Sequence, residues 1–369
     1  MAKNRKRQDN HTKHNGSAQS SQGGMKRPTP YPVGKLPQPD LVALLNRTLG
    51  KPDPRVIFGP GLGRDAAVID FGDRYLVAKT DPITFATDEI GWYVVNVNAN
   101  DVACLGAQPR WMIATLLLPE GTTDHALVDR IFEQLHSASY AIGVTVVGGH
   151  TEITHGLERP IVVGAMFGEV APERLVRSDG ARPGDALILT KGICVEGTAI
   201  LAREAADQLH GKVDAPLLER AAQFLHDPGI SVVRDATIVA AYGAASGVVH
   251  AMHDPTEGGI ATGIHEMTQA AGIGAIVESE RLPVYPETRA LCKALDLDPL
   301  GLIASGALLA AVAADSAPGI VQALEREGIV ATVIGRLRET PGVILRNAHG
   351  EHPLPTFTRD EIARFFDTR

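Results

Sequence analysis

The stretch Gly59-Pro-Gly-Leu-Gly-Arg-Asp65-Ala-Ala-Val-Ile-Asp-Phe71-Gly-Asp-Arg-Tyr75-Leu-Val-Ala-Lys-Thr80-Asp81 decides how this chain begins to fold. A glycine-rich turn leads straight into an apolar strand over 66–71. Gly72-Asp73 then turns the chain into a second strand over 75–80, which makes a hairpin. Outward from this hairpin, a short helix over 36–49 and a Pro-rich turn at 51–54 precede it. Residues 89–105 predict a helix despite their β-branched content, with Gly106 placed to end it. A nearly continuous apolar strand over 111–118 follows. Within 123–141, Leu127, Ile131, Leu135 and Ala138 recur at helical spacing and give one buried face. Strands over 144–147 and 160–170 complete a β-rich, helix-covered first half.

Gly and Pro cluster in Ser178-Asp-Gly-Ala-Arg-Pro-Gly-Asp185, which marks a domain boundary. Beyond it the elements alternate more regularly. A strand over 186–190 precedes helices over 197–207, 216–225 and 231–242, and a strand over 248–252 feeds a helix over 257–271. Further strands fall near 275–278, 307–313, 331–337 and 342–345. The expected fold class is α/β (α+β) in two unequal domains. The expected divisions are a basic tail over 1–35, an N-terminal domain over 36–177, a C-terminal domain over 178–350 and a tail or helix over 351–369.

Charge and composition narrow the function classes. No apolar run reaches the ~18–20 residues that cross a bilayer, and the N-terminus carries no apolar signal region. Cys104, Cys194 and Cys292 show no paired spacing, which argues against a disulfide framework or a zinc knuckle and for a cytoplasmic setting. Residues 1–35 carry +7 and the remainder −15. So acidic a body does not suit nucleic acid, and the tail reads as a solvated, disordered extension. Walker A, Rossmann, kinase and Gly-x-Ser-x-Gly patterns are absent from the sequence.

Five polar clusters remain as candidates for chemistry. Gly61 and Gly63 would let backbone N–H groups face phosphate oxygens while Asp65 holds a metal, although the same turn also suits a plain hairpin. Asp81 ends a strand, where an acid is placed either for a metal–nucleotide site or for capping a turn. Asn96, Asn100 and Asp101 stand in an apolar helix, Asn96 and Asn100 one turn apart on one face, and need either a ligand or an internal network. Gly148-Gly149-His150-Thr151-Glu152 follows an apolar strand, so that backbone and side chains would meet a phosphate region. His253-Asp254-Pro-Thr256-Glu-Gly258-Gly259 opens a helix, whose free N–H groups suit an anion or ordinary capping.

In this order the clusters resemble the aminoimidazole ribonucleotide (AIR) synthase superfamily, from about Leu36 to about Leu345. Within it they are most similar to the hydrogenase-maturation branch typified by HypE and its archaeal-type relatives. The residues that carry the resemblance are Gly63-Arg-Asp65-Ala-Ala-Val68, Thr80-Asp81, Asn100-Asp101-Val-Ala-Cys-Leu-Gly-Ala-Gln-Pro109, Gly148-Gly-His-Thr-Glu152, Thr190-Lys-Gly-Ile-Cys-Val-Glu196-Gly-Thr-Ala-Ile-Leu-Ala202 and His253-Asp-Pro-Thr-Glu-Gly-Gly259. The resemblance implies a homodimer whose N-terminal domains build a shared β-barrel, with an α/β sandwich as the C-terminal domain. It implies ATP and Mg2+ as cofactors. By position, Asp65, Asp81 and Asp101 are the expected metal ligands. Gly61, Gly63, Asn100, Gly148, Gly149, Thr256, Gly258 and Gly259 are the expected nucleotide contacts, and His150, Glu152 and Asp254 the expected catalytic groups.

The resemblance further implies phosphorylation of an amide, carbamoyl or similar oxygen on a small or protein-borne substrate, which creates a leaving group. Asparagine at Asp65, Asp81 or Asp101 is expected to weaken Mg–ATP binding with the fold intact. Departures from the family pattern shift the expected acceptor. The sequence ends Ile362-Ala-Arg-Phe-Phe-Asp-Thr-Arg369 without the cysteine that carries the carbamoyl group in that branch. Gly149-His-Thr-Glu152 stands for Gly-Asp-Thr-Lys, Ala304-Ser-Gly-Ala307 for Asn-Glu-Gly-Lys, and Arg64 for an acid. The expectation is therefore an ATP-dependent enzyme that does not cyanate its own C-terminus. A thiamine-monophosphate-kinase-like phosphotransferase and a nucleotide-binding, non-catalytic paralogue are the alternatives.

Overall fold

The structure, a computed structural model, describes residues 31, 36–48, 50–61, 63–84 and 88–367. The basic tail expected over 1–35 lies, apart from Tyr31, outside the described residues. Leu62 of the first glycine turn and the last two residues lie outside them too. The first half runs α1 (Gln38–Thr48), β1 (Val56–Phe58), β2 (Ala67–Asp70), β3 (Tyr75–Ile83), α2 (Ile90–Cys104), β4 (Gln108–Pro119), α3 (His125–Ile142), β5 (Thr145–Thr154) and β6 (Ile161–Val170). Its six strands form one sheet in the order β1-β2-β3-β6-β4-β5, antiparallel except for the β4–β5 pair.

The second half contains β7 (Ala186–Thr190), α4 (Val195–Glu204), α5 (Ala206–Leu209), α6 (Ala215–Ala222), α7 (Val233–Gly243), β8 (Val249–His253) and α8 (Gly259–Ala271). It continues through β9 (Gly274–Glu278), α9 (Pro286–Leu295), β10 (Leu309–Val312), α10 (Ala317–Arg326), β11 (Ala331–Arg338), β12 (Gly342–Asn347), β13 (Gly350–Pro353) and α11 (Glu361–Asp367). A seven-stranded sheet with the order β13-β12-β9-β11-β7-β10-β8 carries it. The fold is thus mixed α/β on two sheets.

Helix α2 joins the halves. Every one of its residues except Trp92 is buried, which explains its apolar and β-branched composition. It lies against β3 and β6 on one side and reaches β8 and α7 on the other. Glycines in β6 allow that close approach: a Cβ at Gly164 would stand 2.6 Å from Asn98 Nδ2, and one at Gly168 would strike Val102. Helix α3 packs on α2 through Ile131, Leu135 and Ala138, as its periodicity predicts. Asp124 caps it by accepting the Leu127 N–H at 2.8 Å.

One expectation is overturned here. Residues 148–152 are expected to follow a strand that ends at Val147, but β5 runs on through them to Thr154. The glycines serve strand pairing instead of a turn. The register shifts between Met112 and Ile113 opposite this region, and a Cβ at Gly149 would collide with the Ala114 carbonyl. β5 is the edge of its sheet, and all but its last residue are exposed.

Candidate functional site

The site starts at the end of β3. Lys79 and Asp81 share the inward face of that strand with buried Val77. Lys79 Nζ stands 2.8 Å from Asp101 Oδ2 on α2 and 3.1 Å from Asp81 Oδ2. Burial works against the Lys79 charge, but Asp101, Asp81 and Asp65 outweigh it and hold the ammonium protonated beyond the usual lysine range. Burial likewise pushes the Asp101 carboxyl upward, against the pull of Lys79, with Asp65 and Asp81 adding to the rise.

Amides on α2 fix the geometry. Asn98 accepts the Asp81 N–H at 2.7 Å and donates back to the Asp81 carbonyl at 3.2 Å, pinning the strand end to the helix. Asn100 donates to Asp254 Oδ2 at 2.8 Å and to the Ile230 carbonyl at 2.9 Å, and accepts the Val232 N–H at 2.8 Å. Asn96, expected to share a ligand face with Asn100, donates instead to the Trp92 carbonyl one turn back.

The second half contributes the end of β8. His253 Nδ1 stands 2.9 Å from Asp65 Oδ2 and its Nε2 3.1 Å from Glu266 Oε2 on α8. Burial opposes the imidazolium, yet the carboxylates of Asp65 and Glu266 raise its pKa well above the usual value. A protonated His253 therefore donates from both nitrogens and ties Asp65 to the other sheet. Asp254, beside it, is fully enclosed. Burial first, and then the Asp101 charge, push its carboxyl well above the usual range.

Two neighbouring features lay hidden in the sequence. Glu196, at the start of α4, is 5% exposed, and its Oε2 has no hydrogen-bond partner. Burial pushes its pKa up to about 7. A raised acid binds its proton more tightly when folded, so stability is greatest below the unfolded value of ~4.3 and falls as pH rises toward 7. Glu196→Gln is expected to remove this slope and to raise stability at pH 8 by about 3 kcal/mol. Urea unfolding at pH 5 and pH 8 measures it, and a variant no more stable than the parent at pH 8 contradicts it.

The second feature is Asp360, which starts the C-terminal helix. Its Oδ2 accepts the Gly258 N–H at 2.6 Å and its Oδ1 the Ile362 N–H at 2.7 Å. Gly259 donates to the Thr256 carbonyl at 3.0 Å. The amides that were expected to receive an external anion at the start of α8 thus have partners within the chain. Positive φ at both glycines lets the turn pack onto the Leu300–Leu302 backbone.

The structure therefore brings buried Asn100, Asp101 and Asp254 and half-buried Asp65 and Asp81 into one polar seam. It does not bring His150 and Glu152 there. These two pair with each other at 2.9 Å on exposed β5, where Gly149 aligns with Ala114, Gly164 and Asp81 across four strands. At the usual strand spacing, Gly149 is about 14 Å from Asp81. Arg64, in the place of an acid, lies 4.4 Å from the centre of the Phe58 ring and 3.8 Å from Asp179. Among the described residues no three His, Cys, Asp or Glu side chains converge closely enough to enclose a metal by themselves. An open groove of about 710 Å³ lies between α3 and β5, lined by Phe132, Tyr140, Val147 and Gly149 among others, and none of the clustered aspartates reaches it.

Lys79, Asn98, His253, Glu266, Glu196 and Asp360 are the polar groups that sequence reasoning did not assign. The available signal for Lys79 was its inward parity on a strand with Val77, and for Asn98 its place in a helix with no polar face.

Comparison with known proteins agrees with this arrangement. Residues 63–170 match the model of the AIR synthase related protein, N-terminal domain, and residues 182–346 that of its C-terminal domain. A putative hydrogenase expression/formation protein of Methanocaldococcus jannaschii is 28% identical over 310 residues, which cover 81% of this chain and 87% of that protein. Carbamoyl dehydratase HypE of Rhizobium leguminosarum is 32% identical over 286 residues, which cover 74% and 77%. The crystal structure of the hydrogenase maturation protein HypE in complex with ATP superimposes with a TM-score of 0.67 at 25% identity, covering 88% of this chain and 96% of that one. With both halves matched in order, and with a HypE above 30% identity, the chain belongs to the AIR synthase related family, among its HypE-like hydrogenase maturation members.

Proposed function

We propose that this protein binds ATP with Mg2+ at the seam and uses it to phosphorylate an amide or carbamoyl oxygen on an acceptor carried by another molecule. The observation that carries the reading is the convergence of Asp65, Asp81, Asp101 and Asp254, from four separate segments of the chain, through direct contacts with Lys79, His253 and Asn100. The family membership supports it, as does the ATP complex of the similar HypE. Asp65, Asp81 and Asp101 supply hard carboxylate oxygens, and the Asp81 side chain remains 36% exposed beside buried Asp101. That donor set fits Mg2+, which keeps waters and phosphate oxygens in the rest of its shell. Bound there, the ion would neutralise phosphate charge.

In this reading Asp81 faces the nucleotide, Asn98 fixes the strand end that carries it, and Asn100 with Asp254 holds α2 against the second sheet. The protein's contribution is positioning and charge neutralisation. The acceptor oxygen attacks the γ-phosphorus, ADP leaves, and the phosphorylated oxygen becomes a leaving group. Edge strand β5 would complete the assembly by pairing with a second copy, because Val146, Val147 and Ile153 are exposed along it.

A peptide bearing an S-carbamoylated cysteine is a direct probe. The expected result is acceptor-dependent release of ADP and phosphate in equal amounts. Turnover that no carbamoyl or amide acceptor increases would remove the activation chemistry and leave nucleotide binding alone. For the assembly, light scattering that finds only monomer at micromolar concentration would contradict the pairing of β5.

A further inference from the structure

In the reading above Lys79 only holds carboxylates together, yet its ammonium is the central cation of the seam. It is 14% exposed, it lies on the inward face of β3, and it touches the two carboxylates that a divalent ion would share. We propose that Lys79 is a resident cation of this site: it takes the place of one divalent ion between Asp81 and Asp101, so that the chain holds its nucleotide with a single divalent ion. The inference rests on the nucleotide reading for its consequence but not for its geometry.

Three observations support it. First, the two ion pairs are short, at 2.8 and 3.1 Å: the one to Asp101 joins strand to helix, and the one to Asp81 links alternate residues on the same face of β3. Second, the strand end that presents Lys79 and Asp81 is fixed by the paired hydrogen bonds of Asn98 to the Asp81 backbone, so the ammonium is held in register with Asp101. Third, Asp65, the remaining carboxylate of the group, is already engaged by the second buried cation, His253. With Lys79 present, Asp81 and Asp101 together carry one net negative charge, which a single divalent ion beside the triphosphate satisfies. Without Lys79 they carry two, which leaves uncompensated charge for a second ion.

The test counts metal ions. Mn2+ binding to the full chain is followed by the electron paramagnetic resonance signal of free Mn2+, with a non-hydrolysable ATP analogue present. The expected counts are one Mn2+ per bound nucleotide in the parent and two in Lys79→Met. Two in the parent, or one in both, overturns the proposal. Should Lys79→Met fail to fold, the parent count alone decides.

A measurement without nucleotide separates this inference from the function proposed above. Mn2+ alone is expected to raise the melting temperature of Lys79→Met by several degrees more than that of the parent, because the ion re-pairs Asp81 and Asp101. Equal shifts contradict the resident cation even if nucleotide binds. Failure of the parent to bind nucleotide, with unequal shifts, contradicts only the functional reading.

Discussion

Asn100→Ala is expected to lower the unfolding free energy by about 4 kcal/mol, the largest stability loss of any single substitution at the seam. The side chain is fully buried, and each of its hydrogen-bonding atoms is in use. Truncation removes its bonds to the Ile230 carbonyl, the Val232 N–H and Asp254 Oδ2, and no water enters freely to replace the lost amide. Each orphaned group costs about 1–3 kcal/mol, and the cavity adds to the loss. The partners belong to the segment before α7 and to the end of β8, so the loss falls on the junction between the two sheets. The midpoint of urea unfolding measures it. A change under about 1 kcal/mol would show that Asn100 is not structural, and would return it to a purely ligand-facing role.

His253→Gln is the second large effect, and its size depends on pH. The imidazolium bridges Asp65 and Glu266 in a buried position. Removing one member of a buried charge group costs about 3 kcal/mol or more. The folded pKa lies above the unfolded value, so the stabilisation is complete below ~6.5 and disappears as pH rises through the higher folded value. The variant is therefore expected to be much less stable than the parent at pH 6, with the gap narrowing toward alkaline pH. It is also expected to bind nucleotide more weakly, because Asp65 loses the contact that holds it. A stability gap that stays constant with pH would mean that His253 is neutral in the folded protein.

The architecture was largely open to reading because it rests on local pattern. The hairpin of β2 and β3, the amphipathic α3, and the alternation after Ala186 each follow from side-chain period and turn residues. Residues 148–152 were misread for a physical reason. A glycine pair signals a turn and a close strand approach equally well, and only the Ala114 carbonyl opposite Gly149 decides between them. The exchange of Asn98 for Asn96 has a similar origin. Both lie in a helix buried on all sides, where periodicity no longer says which face meets the strand end.

The cations were harder still to see. Lys79 and His253 sit inside motifs quoted for their acids, and their partners are 22 and 188 residues away in sequence. This revises one expectation about substitutions. Asparagine at Asp65 takes from His253 one of its two carboxylates, and at Asp101 takes from Lys79 its shorter and more buried pair, so both carry a structural cost, whereas Asp81 is more exposed and its loss leaves Lys79 the pair with Asp101. Asp81 is thus the position where the site can be tested with little disturbance of the fold.

Calorimetric titration of a non-hydrolysable ATP analogue into the parent and into Asp81→Asn, each with and without Mg2+, tests the central claim most directly. The account predicts saturable, Mg2+-dependent binding of one nucleotide per chain in the parent, weakened at least about tenfold in the variant, a difference of about 1.4 kcal/mol. Absence of binding by the parent, or binding of equal strength by the two proteins, would contradict a nucleotide site at the seam.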